Sequence, residues 1–306
     1  MLRATFIALS ESRSLRAVAE RSGVGRRVSS RFVAGMTIDD ALRATAATNA
    51  LGMTASIDNL GENVTNADEA RASAALYHQL LDSIAARKLD ANVSLKLTHM
   101  GLDVDENLAR GIVTEMVAHA ARLQSFVRVD MEGSPYTEKT LQIVRDLHRQ
   151  PGNAAHVGAV IQSYLYRSER DVEQLCADRI RVRLCKGAYK EPAEIAFQEK
   201  AGVDANFVKL MRMLLKSGTY HGIATHDPKM IEATIAFARA EKIAPETFEF
   251  QMLYGIRRDL QQQLVRDGWR MRVYIPFGTE WYPYLMRRLA ERPANVFFIA
   301  RNLFRR

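Results

Sequence analysis

The amino-acid sequence predicts an α/β fold in which eight parallel strands alternate with helices and close into a (βα)8 TIM barrel. Two observations favour this fold class. The chain has 306 residues, a length typical of an α/β barrel folded as one domain. Short β-type segments alternate with helical patterns eight times, which indicates parallel strands joined by crossover helices. An open doubly wound sheet is the structural alternative, and the eightfold repetition favours the closed barrel.

The predicted strands are short and end in polar or glycine-rich residues. They are Thr54–Leu60, Asn92–Thr98, Phe126–Met131, Val157–Tyr164, Ile180–Lys186, Gly222–His226, Phe248–Leu253 and Met271–Ile275. Apolar residues at helical spacing predict the connecting helices. These are Ala67–Arg87, Leu102–Leu123, Thr137–Gln150, Arg170–Cys176, Val203–Lys216, Pro228–Glu241, Ile256–Asp267 and Trp281–Glu291.

The first part of the chain lies outside the repeating pattern. We expect residues 1–45 to form an N-terminal helical arm and residues 46–306 to form the barrel domain. The first 32 residues contain seven arginines and only two acidic residues. A transit peptide is therefore the alternative interpretation of this segment.

Charge and composition limit the partners of the protein. The formal charge of +8 favours anionic partners, but the basic residues are scattered and not interleaved with aromatic residues, so we expect no nucleic acid partner. No apolar run approaches the ~20 residues that cross a bilayer. The two cysteines, Cys176 and Cys185, are too few for a disulfide framework, which fits a reducing, cytoplasmic compartment.

Several common motifs of enzyme chemistry are missing from the sequence. The histidines and cysteines lack metal-ligand spacing, so we predict no metal site. No Gly-x-Gly-x-x-Gly motif follows a predicted strand, and neither a Gly-x-Ser-x-Gly elbow nor a Walker-type loop occurs. These absences disfavour a Rossmann nucleotide site, acyl transfer and a phosphate-binding loop.

Polar residues recur on one face of the predicted strands. In Val93–Leu97, for example, Lys96 lies opposite three apolar residues, because successive side chains of a strand point to opposite faces. If the aliphatic faces pack against the helices, seven polar side chains project inward near the C-terminal strand ends, where barrel enzymes place their active sites. They are Lys96, Asp130, Gln162, Arg183, His226, Gln251 and Tyr274.

Each of these residues also has a purely structural interpretation. Asp130 could pair with Lys96 or Arg183 as part of the barrel filling, and Gln162 and Gln251 could satisfy backbone groups. His226 could be a hydrogen-bonded structural histidine, and Thr225–Pro228 could be a turn that ends a strand. We favour a functional site because so many charged groups would not normally fill a barrel without a ligand or mutual pairing.

The last predicted helix places Tyr284, Arg288 and Glu291 on one face, with Arg287 beside them. Two neighbouring guanidinium groups can fork onto one carboxylate, and Lys96 could add a third positive charge. This arrangement would select a small carboxylic acid. A solvated basic helix end is the alternative, since Arg292 follows directly.

Six motifs together carry a resemblance to a known family. They are Ser94–Thr98, Val129–Glu132, Arg183–Tyr189, Ala224–His226, Phe250–Gly255 and Tyr284–Glu291. In this order they resemble the proline dehydrogenase family, in particular its short monofunctional bacterial form, and are similar to the proline dehydrogenase domain of bifunctional proline utilisation proteins. The resemblance runs from about Arg31 to Asn295 and covers residues 1–30 weakly.

The resemblance implies a distorted barrel that holds FAD non-covalently and oxidises L-proline to Δ1-pyrroline-5-carboxylate by hydride transfer from C5 to the flavin N5. It also implies a membrane quinone as the electron acceptor, with peripheral association at the inner face of the cytoplasmic membrane.

The family motifs imply a role for each matching residue. Lys96, Arg287 and Arg288 match the clamp for the substrate carboxylate, and Asp130, Tyr189, Leu253, Tyr274 and Tyr284 match the proline ring pocket. The positions that match flavin contacts are Met131, Gln162, Arg183, Lys186, Gly187, Ala188, Thr225, His226 and Glu291.

Four residues have more specific implications. Asp130 and Arg183 match catalytic positions: Asp130 would orient the substrate amine, and Arg183 would lie near the flavin N5. Glu62 resembles a gate residue that pairs with Arg287 when the site closes. Lys190 departs from the tryptophan of bifunctional relatives, which puts contacts around the adenine or ribose in doubt.

Two rival functions from other classes compete with this interpretation. One is a metal-independent barrel lyase or aldolase that uses Lys96 or Lys186 as a Schiff-base amine. The other is a basic, non-enzymatic protein that binds nucleic acid or lipid, whose affinity would fall steeply with salt.

Overall fold

Eight parallel strands form a closed barrel in the order in which they occur along the chain. The computed structural model describes the backbone of residues 29–291 and the side chains of residues 29–286. The strands are β1 (Thr54–Asn59), β2 (Ala91–Leu95), β3 (Val127–Val129), β4 (Val157–Gln162), β5 (Arg181–Cys185), β6 (His221–Ala224), β7 (Phe248–Leu253) and β8 (Met271–Phe277). Since β8 pairs with β1, the barrel prediction is confirmed and the open sheet is wrong.

Helices follow the strands and surround the barrel. They are α1 (Ile38–Asn49), α2 (Ala67–Ala86), α3 (Glu106–Arg122), α4 (Ser134–Arg149), α5 (Ser168–Ala177), α6 (Lys200–Lys216), α7 (Pro228–Ala240), α8 (Arg258–Arg266) and α9 (Trp281–Glu291). Helix α1 precedes β1 and packs against β1 and β8. In residues 29–291, no helix has both the length and the hydropathy to cross a bilayer.

Local sequence signals explain where several helices begin. Thr37 and Asp40 form a capping box at α1, and Asn66 accepts a hydrogen bond from a backbone N–H of the first turn of α2. Helix α3 begins at Glu106, four residues later than predicted, because Asp105 caps it and a short 3₁₀ turn, Thr98–Met100, precedes it. Gly101 ends that turn at φ 90°, a conformation that favours glycine.

The strands separate an apolar layer from a polar barrel interior. Val93, Leu95, Val129 and Leu184 are buried in the apolar core shared with the helices. The alternate positions carry polar side chains that meet inside the barrel; for example, Arg183 Nη1 on β5 lies 2.7 Å from Oδ1 of Asp130, just beyond β3. The fold therefore brings charged residues from different strands into one enclosed space.

The proposed division at residue 45 stays a prediction. Residues 1–28 lie outside the described residues, and with them most of the predicted N-terminal arm. Helix α1 runs from Ile38 to Asn49 without a break at that boundary.

Candidate active site

Arg183 occupies the centre of the barrel and is almost completely buried. Its Nε donates to Gln251 Oε1 at 2.5 Å, and its Nη1 donates to Asp130 Oδ1 at 2.7 Å. Its Nη2 donates to the hydroxyls of Ser56 and Ser94, at 3.1 and 3.0 Å. Side chains from five strands or strand ends thus meet at one guanidinium, which has a fixed orientation as a result.

Asp130 joins Arg183 to Tyr274. Its Oδ2 accepts from the Tyr274 hydroxyl at 2.9 Å, while its Oδ1 accepts from Arg183. The guanidinium also lies 5.1 Å from the centre of the Tyr274 ring. Burial, reinforced by the negative charge of Asp130, raises the pKa of Tyr274 well above its ordinary value. The phenol therefore remains a neutral hydrogen-bond donor at physiological pH.

Lys96 forms a second buried ion pair at the mouth of the barrel. Its Nζ lies 3.2 Å from Asp58 Oδ2, and Asp58 is almost fully buried at the end of β1. Burial alone would lower the pKa of Lys96, but Asp58, Glu62 and Asp130 outweigh it and raise that pKa. The ammonium group is therefore held in its charged form.

Sequence reasoning missed Asp58 and its anchor, Tyr77. The Tyr77 hydroxyl on α2 lies 3.1 Å from Asp58 Oδ1 and 2.8 Å from the Ser94 carbonyl oxygen. Asp58 lies on the face of β1 opposite Ala55 and Ile57. The alternation that placed Lys96 inside the barrel therefore predicts the same position for Asp58. Tyr77 has no such signal, because its position on α2 resembles that of any core aromatic residue.

The Gln162 side chain, at the end of β4, contacts the backbone that follows β3. Gln162 Nε2 donates to the carbonyl oxygens of Met131 and Glu132, at 3.0 and 3.1 Å. The Gln162 Oε1 atom is buried and has no partner in the described part of the chain. The amide thus satisfies backbone groups with one end and leaves a buried acceptor at the other.

The strand ends of β6 and β7 place Thr225 and His226 beside Leu253. The backbone N–H of Leu253 donates to His226 Nε2 at 2.9 Å, so a neutral His226 ring carries its proton on Nδ1. Thr225 Oγ1 accepts from the backbone N–H of Asp227 at 3.1 Å. These contacts hold the turn after β6 against the end of β7.

The loop after β5 carries Lys186, Gly187, Ala188 and Tyr189. Lys186 forms ion pairs with Asp204 and Asp227. Gly187 has φ 109°, and a Cβ at this position would overlap the Tyr164 ring. Tyr189 is 38% exposed.

A carboxylate ties this loop to α4. Glu191 accepts from the backbone N–H of Ser134 at 2.7 Å and from the Ser134 hydroxyl at 2.6 Å. An acidic side chain at a helix N-terminus is favourable, because the helix dipole is positive there. The contact fixes the far side of the loop that contains Tyr189.

The last helix is described only in part. Arg287, Arg288 and Glu291 belong to α9, but their side chains lie outside the described residues, so their approach to Lys96 stays a prediction. Tyr284 is buried in an apolar cluster with Phe32, Leu60 and Trp281. Glu62 follows β1 and is close enough to Lys96 to influence its pKa.

The chemistry of the site disfavours Lys96 as the Schiff-base amine of a lyase. A Schiff-base lysine needs a neutral amine, whereas the carboxylates around Lys96 raise its pKa and keep it charged. In residues 29–286, no group of three or more His, Cys, Asp or Glu side chains is arranged to hold a metal ion.

A family model described as proline dehydrogenase matches residues 41–301. The chain belongs to the proline dehydrogenase family. It is 40% identical to proline dehydrogenase 1 of Bacillus subtilis subsp. natto over 306 residues, which cover all of both chains. It is also 40% identical to proline dehydrogenase of Deinococcus radiodurans over 278 residues, which cover 90% of this chain and 89% of that protein.

Longer members of the family share the same barrel. A crystal structure of proline utilization A from Bdellovibrio bacteriovorus, inactivated by N-propargylglycine, has 27% sequence identity and a TM-score of 0.83. The similarity covers 89% of this chain and 33% of that chain, so this chain spans about a third of the longer protein. The family fold is thus the barrel described above.

Proposed function

We propose that the protein is an FAD-dependent proline dehydrogenase that oxidises L-proline to Δ1-pyrroline-5-carboxylate. The observation that carries the proposal is the buried Arg183–Asp130–Tyr274 network beside the charged Lys96. The names of the relatives that are 40% identical over most or all of their length support the substrate.

The residues around the barrel mouth fit a flavin. Gln162 Oε1 is a buried acceptor without a partner in the described residues, and a flavin ring offers N–H donors. Arg183, Lys186, Thr225 and His226 would hold the cofactor, together with Met131, Gly187, Ala188 and Glu291. When bound, FAD would supply the acceptor for the hydride from proline C5, which carries the two electrons of the oxidation, and these electrons would pass on to a membrane quinone.

The protein's own residues would bind and orient the substrate. Lys96, with Arg287 and Arg288, would clamp the carboxylate, and Glu62 would close the site by pairing with Arg287. Tyr189, Leu253, Tyr274 and Tyr284 would enclose the ring.

Asp130 would face the substrate amine. Its carboxylate already accepts from Arg183 and Tyr274, which fixes its position for a hydrogen bond from the substrate. The substrate would lose a hydride from C5 to the flavin and a proton from nitrogen to solvent, and a C=N bond would form between C5 and nitrogen. The protein thus contributes position and charge to the reaction.

Location and electron acceptor are part of the proposal. We place the protein in the cytoplasm, peripherally associated with the inner face of the membrane, where the quinone is dissolved. The net charge of +8 is compatible with attraction to anionic lipid.

Spectroscopy and anaerobic mixing test the proposed function. The purified protein should show flavin absorption that L-proline bleaches without oxygen, and a panel of imino acids would define the selectivity. A colourless protein that traps substrate on borohydride treatment would instead indicate a lyase. A colourless, inactive protein whose binding to nucleic acid or lipid falls steeply with salt would indicate the basic binding protein.

Arg288→Met tests the carboxylate clamp. Loss of a charge-assisted hydrogen bond of about 1.5–3 kcal/mol should raise the KM for proline about 10- to 100-fold while FAD stays bound. Arg71→Met is the matched control, because Arg71 pairs with Asp68 on the outer surface of α2. An unchanged KM in Arg288→Met would remove this residue from the clamp.

A further inference from the structure

Gln251 touches Arg183 directly inside the barrel. It belongs to β7, is 3% exposed, and accepts from Arg183 Nε at 2.5 Å. With the contacts to Asp130, Ser56 and Ser94, four of the five N–H groups of Arg183 have partners. The remaining N–H, on Nη1, has no partner among the described residues and can serve a ligand.

Glu249 fixes which way the Gln251 amide points. Gln251 Nε2 donates to Glu249 Oε1 at 2.6 Å. Glu249 also accepts from Arg272 Nε at 2.7 Å and from the Tyr220 hydroxyl at 2.8 Å. Since the Glu249 carboxylate only accepts and the Arg183 guanidinium only donates, the amide has one favourable orientation, with its oxygen towards Arg183.

Gly222 provides the space that Gln251 occupies. On the sheet, Gly222 of β6 pairs with Arg183 of β5 on one side and with Glu249 of β7 on the other. A Cβ at Gly222 would overlap the Gln251 amide. The missing side chain on β6 thus allows an amide from β7 to reach a guanidinium on β5.

We propose that Gln251 is a positioning residue that sets the orientation of the Arg183 guanidinium towards the cofactor. Glu249 locks its amide, and Gly222 leaves room for it. A guanidinium whose orientation is fixed before the reaction stabilises developing negative charge without having to move during the reaction. This inference rests on the proposed function, because the cofactor it refers to is the FAD of that proposal.

Gln251→Met tests the inference in the holoenzyme. Methionine keeps the approximate shape of glutamine but removes both hydrogen bonds, so the Arg183 side chain loses its support. The reduction potential of bound FAD should fall, because a misplaced guanidinium favours the reduced cofactor less. A tenfold loss of that preference corresponds to about 30 mV for a two-electron couple.

Kinetics provide a second readout. The rate of flavin reduction by proline should fall at least tenfold in Gln251→Met, while the KM for proline stays within about twofold of the wild-type value. The KM is spared because the predicted carboxylate clamp uses other residues and Asp130 keeps its hydrogen bond from Tyr274. A merely structural effect would lower stability without shifting the reduction potential.

Gln174→Met is the matched control. Gln174 Oε1 accepts from Arg145 Nη2 at 2.7 Å, so the same change breaks a glutamine–arginine contact between the outer helices α4 and α5. This variant should keep the wild-type potential.

Gly222→Ala is the second test variant, and it displaces Gln251 without removing a polar group. Because the nearest atoms to the new methyl group belong to the Gln251 side chain and not to the backbone, the barrel should still fold. The potential should shift in the same direction as in Gln251→Met. A folded Gly222→Ala or Gln251→Met protein with the wild-type potential would overturn the inference, whereas a wild-type protein without flavin or proline oxidation would overturn the proposed function itself.

Discussion

Asp227→Asn removes one charge from the ion pairs around Lys186 and leaves the cap of α7 in place. Asp227 Oδ2 lies 2.7 Å from Lys186 Nζ and 3.3 Å from Lys200 Nζ. Its Oδ1 accepts from the backbone N–H of Lys229 at 3.1 Å, which caps α7. Asparagine caps helices about as well as aspartate, so the substitution isolates the contribution of the charge.

The size of the effect follows from the pKa of Asp227. Burial alone would raise this pKa, but Lys186 and the Lys229 N–H outweigh it and lower the pKa from 3.8 to about 2. This difference corresponds to about 2 kcal/mol, at about 1.36 kcal/mol per pH unit. The side chain is 21% exposed, so water weakens the interaction and we expect about 1–2 kcal/mol.

The lowered pKa of Asp227 also determines how its contribution to stability depends on pH. A carboxyl group whose pKa is lower in the folded state stabilises the fold above its unfolded pKa, and this stabilisation is lost as the pH falls from about 4 to about 2. Asp227→Asn should therefore be less stable than the wild type at pH 7 and pH 5 by the same amount. About half of that difference should remain at pH 3.

Urea unfolding at pH 7, 5, 4 and 3 measures the difference. Asp68→Asn is the control, because Asp68 is 96% exposed and pairs with Arg71 on the surface of α2. This control should change stability by less than about 0.5 kcal/mol at every pH. A stability difference for Asp227→Asn that is as large at pH 3 as at pH 7, or that has vanished at pH 5, would refute the assignment.

Two further substitutions address the anchors of the site. Gly187→Ala places a Cβ against the Tyr164 ring at φ 109°. The free energy of unfolding, measured in urea, should fall by about 1–3 kcal/mol, and FAD should bind more weakly. Wild-type values for both would contradict the strain argument. Tyr77→Phe leaves the buried carboxylate of Asp58 without its hydroxyl partner. The free energy of unfolding should fall by about 1–3 kcal/mol, and the KM for proline should rise. Unchanged stability would show that Asp58 does not need this contact.

Most of the barrel could be predicted from the sequence, because strands and helices have different apolar periods. The eight strands, and the eight helices that follow them, occur within a few residues of their predicted positions. The largest differences come from local turns. Met131 lies beyond the end of β3, and the 3₁₀ turn Thr98–Met100 delays the start of α3.

The candidate site was predicted as a set of residues but not as a set of contacts. Strand alternation placed Lys96, Asp130 and Arg183 in the barrel interior, and left open which cation pairs with Asp130. In the structure Asp130 binds Arg183, and Lys96 binds Asp58. The sequence pattern could not decide between them, because the choice depends on distances across the barrel.

The sequence by itself determined the local features of the protein: strand and helix periods, helix caps, and the face of each strand that carries polar residues. These depend on residues a few positions apart, so a linear pattern contains them. Tertiary structure alone decided which polar groups meet. Arg183 on β5 reaches Gln251 on β7 because Gly222, on the strand between them, has no side chain. Such a contact arises when the closed barrel brings residues from separate strands within hydrogen-bonding distance.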